Sequence, residues 1–320
     1  MKKLKIDNKD KQILYELYKN CRQNLSELAK KLRTRENVIA YRINKLEKHK
    51  VIRGYYTLID TFLLGYQSFR VYFNFQNLTK EIKKSIIDFF VKNELTYFVS
   101  TIEGRFDFVV ALWVKEINEL YSFFETIMRK YRKYILNYLV TPIQFTLFDV
   151  NFLEGNEKAE LNFKQKEKID IDKIDYKILK FISYNARASF VEIADKLNIG
   201  IDKVKYRIKK LVKKKIIKGF RADINFWKLG YKWFKVNIWL NDYNKYKEIE
   251  KFIRQNPNLS VINYSIGLAD LEPEFFFKTT EELENFMEEL QGRFRGEIKN
   301  YSYFYPKKIL KINFIPHIQF

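Results

Sequence analysis

The chain contains itself twice. Residues 10–66 recur at 175–231 with a constant shift of 165 and no gap. Asp10 and Leu14 return as Asp175 and Leu179, Asn20 and Arg22 as Asn185 and Arg187, and Tyr41-Arg42-Ile43 as Tyr206-Arg207-Ile208. Leu64-Gly65-Tyr66 returns as Leu229-Gly230-Tyr231. A unit this long exceeds a solenoid repeat, so each copy must hold at least one domain and the chain must build two of something.

Charge divides each copy again. Residues 1–65 carry a net +9 and 164–230 a net +11, whereas 66–163 sum to zero and 231–320 to +1. A lysine-rich composition alone would not leave half of the chain neutral, so the two basic blocks read as binding a polyanion such as nucleic acid. With 320 residues, 47% of them hydrophobic, several cores can form. The single Cys21 excludes an internal disulfide framework, and His49 and His317 leave no basis for a zinc cluster, so no metal or cofactor is expected. The charged start lacks an apolar stretch behind it, and the run Phe108 to Val114 is too short to span a bilayer. A cytoplasmic protein without a membrane partner is the expectation.

In the first basic block, Ile13, Leu14 and Leu17 repeat at helical spacing between Lys9 and Lys19, behind Asp7 and Asp10. A second short helix is predicted from a cap at Ser26 to Leu32, and a third from about Arg35 to His49. The third buries Ile39, Ile43 and Leu46, matched in the second copy by Val204, Ile208 and Leu211. A β-rich piece with a central glycine follows in each copy, 51–56 and 216–221, giving three helices and a small wing, a winged helix-turn-helix. With its apolar stripe docked, the third helix shows Asn37, Tyr41, Asn44 and Lys48 to solvent, flanked by Arg42 and Lys45. Its counterpart shows Asp202, Tyr206, Lys209 and Lys213, flanked by Arg207 and Lys210. These groups read base edges and hold phosphates, and with Arg35, Lys203, Lys205 and the wing residues Arg53 and Lys218 they form the expected DNA-binding set. An outward tyrosine is unfavourable unless something covers it, which makes Tyr41 and Tyr206 the sharpest members.

The pattern Asp-x-x-Ile-Leu, Asn-x-Arg, Leu-Ala-x-x-Leu, Arg-Ile-x-x-Leu, Val-Ile-x-Gly-Tyr and Leu-Gly-Tyr is carried here by Asp10, Ile13, Leu14, Asn20, Arg22, Leu28, Ala29, Leu32, Arg42, Ile43, Leu46, Val51, Ile52, Gly54, Tyr55 and 64–66. It closely resembles the leucine-responsive regulatory protein/asparagine regulator (Lrp/AsnC) family of transcription regulators, and the match returns in the second copy. Where members commonly carry glycine before the wing, Lys50 and Lys215 stand, which bears on how sharply the helix turns into the strand.

Beyond each basic block the hydrophobic period becomes alternating. Strands are predicted at 69–75, 97–103, 106–114 and 138–148 with helices at 80–92 and 118–131, then strands at 233–240, 260–266, 271–277 and 299–315 with helices at 245–255 and 281–294. The fold class is therefore α+β, two winged helix-turn-helix domains (1–65 and 169–230) alternating with two ferredoxin-like βαββαβ sandwich domains (66–150 and 231–320), joined by a linker at 151–168. Aromatic residues on both strand faces suggest that the two sheets bury one another, making an internal pseudo-dimer open to further self-association. The resemblance implies an amino-acid-type effector near a Gly-x-x-Asp turn. Its counterparts are Gly104, Arg105 and Asp107 and, in the second copy, Gly267 and Asp270, where Glu272-Pro273-Glu274 follows as an unfavourable strand sequence.

The leading expectation is a sequence-specific regulator of double-stranded DNA, with two recognition helices in major grooves about 34 Å apart. The pairs Asn37/Asp202, Val38/Lys203 and Asn44/Lys209 differ, so the two half-sites should differ. A branch of the same family resembles sirohaem decarboxylases; scarce histidine, a neutral sandwich and the lack of a carboxylate or nucleophile cluster repeated in both copies count against that chemistry. An architectural or RNA-binding protein is the third possibility, distinguished by salt-dependent binding without sequence preference.

Overall fold

A computed structural model describes residues 5–150, 153 and 159–318. The first basic block folds as α1 (Asn8–Lys19), α2 (Leu25–Lys31) and α3 (Glu36–Lys48). Asp7 caps α1 in a reciprocal box with Asp10. The cap of α2 is Asn24, not Ser26, because Asn24 and Glu27 satisfy each other's backbone N–H three residues apart. Strand β1 (Ile52–Ile59) leads to the neutral block: β2 (Gln67–Phe75), α4 (Lys80–Lys92), β3 (Thr96–Glu103), β4 (Phe108–Val114), α5 (Ile117–Tyr131) and β5 (Ile135–Phe148). A short β6 (Glu160–Phe163) precedes the second copy: α6 (Lys173–Ile182), α7 (Phe190–Leu197), α8 (Ile201–Lys213), β7 (Ile217–Ile224), β8 (Lys232–Leu240), α9 (Tyr246–Ile253), β9 (Leu259–Ser265), β10 (Glu272–Phe277), α10 (Thr280–Arg293) and β11 (Ile298–Ile312). Part of the expected linker is thus strand, β6 pairing with β5, while residues 151, 152 and 154–158 lie outside the described residues.

The two sheets do not simply stack. They join edge to edge in the order β2-β4-β3-β11-β8-β10-β9-β5, and β5 returns to β2, so eight antiparallel strands close into a barrel. The closing strands are β5 and β11, each long enough to serve both copies. β5 pairs with β2 of its own copy from Ile135 to Ile143 and with β9 of the other from Ile143 to Leu147. β11 pairs with β8 as far as Phe304 and with β3 from Tyr305 onward. Closure removes the exposed edges that two separate sandwiches would have kept. The helices cover the outside, where Phe73, Phe90, Phe108 and Phe123 pack in one copy and Phe234, Phe275, Phe286 and Met287 in the other.

The wings are also shared. Instead of forming a hairpin within each domain, β1 and β7 pair antiparallel with each other, from Ile52 opposite Ile224 to Ile59 opposite Ile217. The core of the first helical unit therefore includes Ala186, Ala222 and Ile224 of the second copy, and the core of the second includes Ile59, Leu63 and Leu64 of the first. The segments 1–65 and 169–230 bound the chain but not the packing.

Candidate nucleic-acid interface

In α3 the stripe Ile39, Ile43 and Leu46 is buried, and in α8 Val204, Ile208 and Leu211. That docking leaves Asn37, Tyr41, Asn44 and Lys48 exposed on one helix and Asp202, Lys203, Lys205, Tyr206, Lys209 and Lys213 on the other, with Arg35 exposed at the start of α3. Tyr41 keeps 69% of its surface in solvent and Tyr206 66%. Lys45 and Lys210 are half-buried at the flanks, and Asp202 lies 3.6 Å from Lys205.

The two arginines of the motif point elsewhere. Arg42 donates to Asp7 at 2.8 Å and to Asp10 at 2.7 Å, tying α3 to the start of α1; Arg207 does the same to Asp172 and Asp175 at 2.7 Å. Burial would raise the Asp7 and Asp172 carboxyls, but hydrogen bonds from these arginines and from backbone N–H groups outweigh it and hold both below the usual range. Arg42 and Arg207 thus tie each recognition helix to the start of the first helix of its own copy.

The wing residues are engaged as well, because the strands that carry them form the ribbon between the copies. Arg53 makes a two-pronged contact with Asp223, at 2.6 and 3.0 Å. Lys218, 8% exposed, pairs with buried Asp60 at 3.0 Å and donates to the Asn162 carbonyl. Expected as phosphate contacts, both are engaged with carboxylates of the chain itself, Lys218 almost out of solvent and Arg53 with 36% of its side chain still in it. The sequence reading also missed what Arg22 and Arg187 do. Arg22 donates to the carbonyls of Ala186 and Ala188 at 2.8 and 2.9 Å and lies over the Phe190 and Phe220 rings, while Arg187 lies over Tyr55 and donates to its hydroxyl at 3.3 Å. The recurrence of Asn-x-Arg with Gly-Tyr or Gly-Phe at the same shift was the available signal.

The glycine-aspartate turns close strand ends. Gly104 has φ +138°, and a Cβ there would stand 2.8 Å from Phe304 Cβ. Asp107 accepts from the Phe75 N–H at 2.8 Å, and Asp270 from the Leu240 N–H at 2.8 Å, each fixing the last residue of the neighbouring strand. Arg105 is exposed beside the Phe106 ring, and Gly267, at φ +98°, faces open space.

Inside the barrel is a charged cluster whose two acids both come from the second copy. Glu274 accepts from Arg70 at 3.1 Å, Asn263 at 2.7 Å and Trp233 at 3.0 Å, and Glu272 pairs with Lys235. The pairing register makes Lys235 the counterpart of Arg70 and Glu274 that of Ala111. The two acids and Pro273 are therefore accommodated within the chain. Pairing of β10 to β8 lapses between Leu271 and Glu274, where Pro273 has no N–H to give, and the acids turn inward to the chain's own cations. Burial lowers the Lys235 ammonium, opposed by Glu272; burial alone would lower Arg70 too, but Glu274 more than offsets it. A cavity of about 220 Å³ lies beside this cluster. Among the described residues no group of three or more His, Cys, Asp or Glu is placed to hold a metal, and no helix is long and apolar enough to cross a membrane.

Residues 6–47 match the AsnC-type helix-turn-helix domain, and residues 171–218 a winged helix-turn-helix DNA-binding domain. Two uncharacterized HTH-type transcriptional regulators of Pyrococcus furiosus are 31% and 30% identical, over 39% and 37% of this chain and 85% and 80% of their own lengths. The chain belongs to the Lrp/AsnC family. Relatives matched over most of their length by little more than a third of this chain correspond to one of its copies, so this Lrp/AsnC member carries the family's unit in duplicate. The whole duplicated architecture also has a solved counterpart in fold: the siroheme decarboxylase NirDL, at TM-score 0.66 and 16% identity, over 97% of this chain and 94% of that one.

Proposed function

We propose that this protein is a DNA-binding transcription regulator that presents α3 and α8 to one duplex as two unlike probes. The observation that carries the reading is the exposure of Tyr41 and Tyr206, with hydrogen-bonding and basic neighbours, at equivalent positions of two helices whose opposite faces are buried. Asn37 suits adenine and Lys203 guanine, each contact worth about 1–3 kcal/mol of discrimination. The ribbon and the Arg22 and Arg187 contacts join the two reading heads, so one covalent molecule addresses an asymmetric operator. Selection from random duplex DNA followed by footprinting tests this directly. Two unlike half-sites about one helical turn apart are expected. Uniform affinity for all sequences would show an architectural binder instead.

The likeness in fold to NirDL favours a second reading, a tetrapyrrole enzyme. The barrel cavity speaks against it. At about 220 Å³ it is smaller than the roughly 300–1,000 Å³ of sites for drug-sized ligands, and a tetrapyrrole is larger than those. Titration of the protein with an iron tetrapyrrole, watched at the Soret band, separates the two readings.

A further inference from the structure

We propose that a groove on the outside of the first copy, between α4 and the strand β11 lent by the second copy, is a binding site for a small anionic amphiphile, a carboxylate carrying an acyl chain of medium length. The site is independent of the regulator reading above, since none of its residues belongs to either helical unit.

Duplication lays out the trough twice and bridges it once. β11 leaves β8 at Phe304 and continues along β3, so the first copy's sheet gains a borrowed strand, and β5 does the same for the second copy by pairing with β9. In each copy the borrowed strand runs beyond the helix that covers the sheet's edge, α4 in one and α9 in the other. A shift of 163 brings Gly104 and Asp107 onto Gly267 and Asp270, and the buried Ile86 and Phe90 of α4 onto the buried Ile249 and Ile253 of α9. In the second copy side chains span the trough. Glu250 accepts from the Tyr264 hydroxyl at 2.8 Å and from Arg254 at 2.7 Å, while Arg254 lies over the Phe148 ring of β5 and reaches Glu160 at 2.7 Å. The same shift puts Ile87, Val91 and Thr101 in the places of Glu250, Arg254 and Tyr264. Side chains without charge or ring cannot build that bridge, and a groove of about 630 Å³ stays open. Its size falls within the roughly 300–1,000 Å³ of small-molecule sites.

The chemistry of the groove is divided between floor and mouth. Leu78, Ile87, Phe108 and Leu310 make the floor apolar. Lys83 in the first turn of α4 and Lys307 and Lys308 of β11 stand exposed on its two walls. Lys307 has Glu103 at 3.5 Å in open solvent, and among the described residues no carboxylate lies within ion-pair reach of Lys83 or Lys308. Asp107 is the acid in the lining, and it accepts from the Phe75 N–H. Beyond Leu310, Lys311 donates to the Asn93 carbonyl at 2.7 Å and to the Thr96 hydroxyl at 2.9 Å, tying the end of α4 to β11. The groove is therefore cationic by the first turn of α4 and pinned shut by the last. An acyl chain on the floor with its carboxylate among the three lysines matches both ends, whereas a cationic head would be repelled.

The test uses the full chain at low ionic strength with octanoate, its uncharged counterpart octanamide and its cationic counterpart octylammonium, read by titration calorimetry and thermal unfolding. Octanoate is expected to bind and to raise the unfolding temperature, octanamide to bind about tenfold more weakly, and octylammonium to leave both signals unchanged. Hexanoate, with two fewer CH₂ groups on the floor, is expected to lose about tenfold relative to octanoate. Lys83→Gln combined with Lys308→Gln should weaken octanoate by about tenfold and leave octanamide as it was. Thr101→Tyr supplies the side chain that the second copy carries at Tyr264 and should abolish binding of both; should that variant fail to fold, Ile87→Glu, which copies Glu250, is expected to do the same. No response to octanoate up to about 10 mM, or binding that survives Thr101→Tyr or Ile87→Glu, overturns the site. Equal affinity for octanoate and octanamide, untouched by the lysine changes, overturns the anionic ligand. Selection of duplex DNA by the same preparation is a separate readout, so loss of the site and loss of the regulator reading are told apart.

Discussion

Lys50 and Lys215 sit in the left-handed region, at φ +55° and +61°, where the family's usual residue is glycine. They show that the turn from recognition helix to ribbon is made without it: Val51 N–H closes on the Leu46 carbonyl at 2.9 Å and Ile216 on Leu211 at 3.0 Å, the pattern of a helix ended by one left-handed residue. A side chain there costs about 1 kcal/mol, so Lys50→Gly and Lys215→Gly are each expected to raise stability by about that amount, measured by denaturant unfolding. The arginine ties carry the opposite sign. Asp10 is 1% exposed, and removing its partner by Arg42→Met leaves a carboxylate buried without its cation, a loss of about 2–3 kcal/mol. The pH dependence follows from Asp7 and Asp172, whose carboxyls are lowered in the fold. Their contribution is complete above the unfolded value near pH 4 and is lost as pH falls through the lower folded value. Acid unfolding monitored by circular dichroism should therefore lose part of its slope below about pH 4 in Arg42→Met. An unchanged profile would show that the tie contributes nothing.

Helices and strands lie within a few residues of where periodicity places them: α4 spans the predicted 80–92, and α3 and α8 bury the predicted stripes. Local pattern suffices there because one buried face fixes a helix. It fails where pairing is long-range. Nothing within 216–221 distinguishes a local wing from a strand that pairs with its own copy 165 residues earlier, and nothing there announces the pairing of Lys218 with Asp60. The site was legible to the same extent: the exposed face of a helix can be read from its buried stripe, whereas the roles of Arg42 and Arg207 depend on a second helix. For the recognition helices this yields an element-level prediction. Tyr41→Ala should weaken binding to a selected duplex by about tenfold and relax specificity in one half-site only, and Tyr206→Ala should do so in the other. Equal relaxation of both half-sites by either change would mean that the two helices do not read separate halves.

At the scale of the whole molecule, duplication has let the copies diverge without losing their partnership. A homodimer must place the same residues on both sides of its barrel. Here Arg70 and Lys235 stand at equivalent positions facing two acids that belong to one copy alone. Once both copies share a chain, an ion pair between them needs only one member from each, and the interior becomes acidic on one side without becoming so on the other. Among the described residues three strand pairings hold the copies together, β1 with β7, β5 with β9 and β11 with β3, and the cores of both helical units include residues of the other copy. The covalent link therefore fixes which copies meet and adds little to how firmly they are held. A protease site inserted between Gln165 and Lys166, in the exposed stretch after β6, separates these contributions. After complete cleavage the fragments are expected to elute as one species with the stability of the uncut chain, because hydrogen-bonded pairing and shared cores survive the cut. Dissociation into two folded halves would instead show each copy to be self-sufficient, with its half of β5 or β11 unpaired, an outcome the closed barrel argues against.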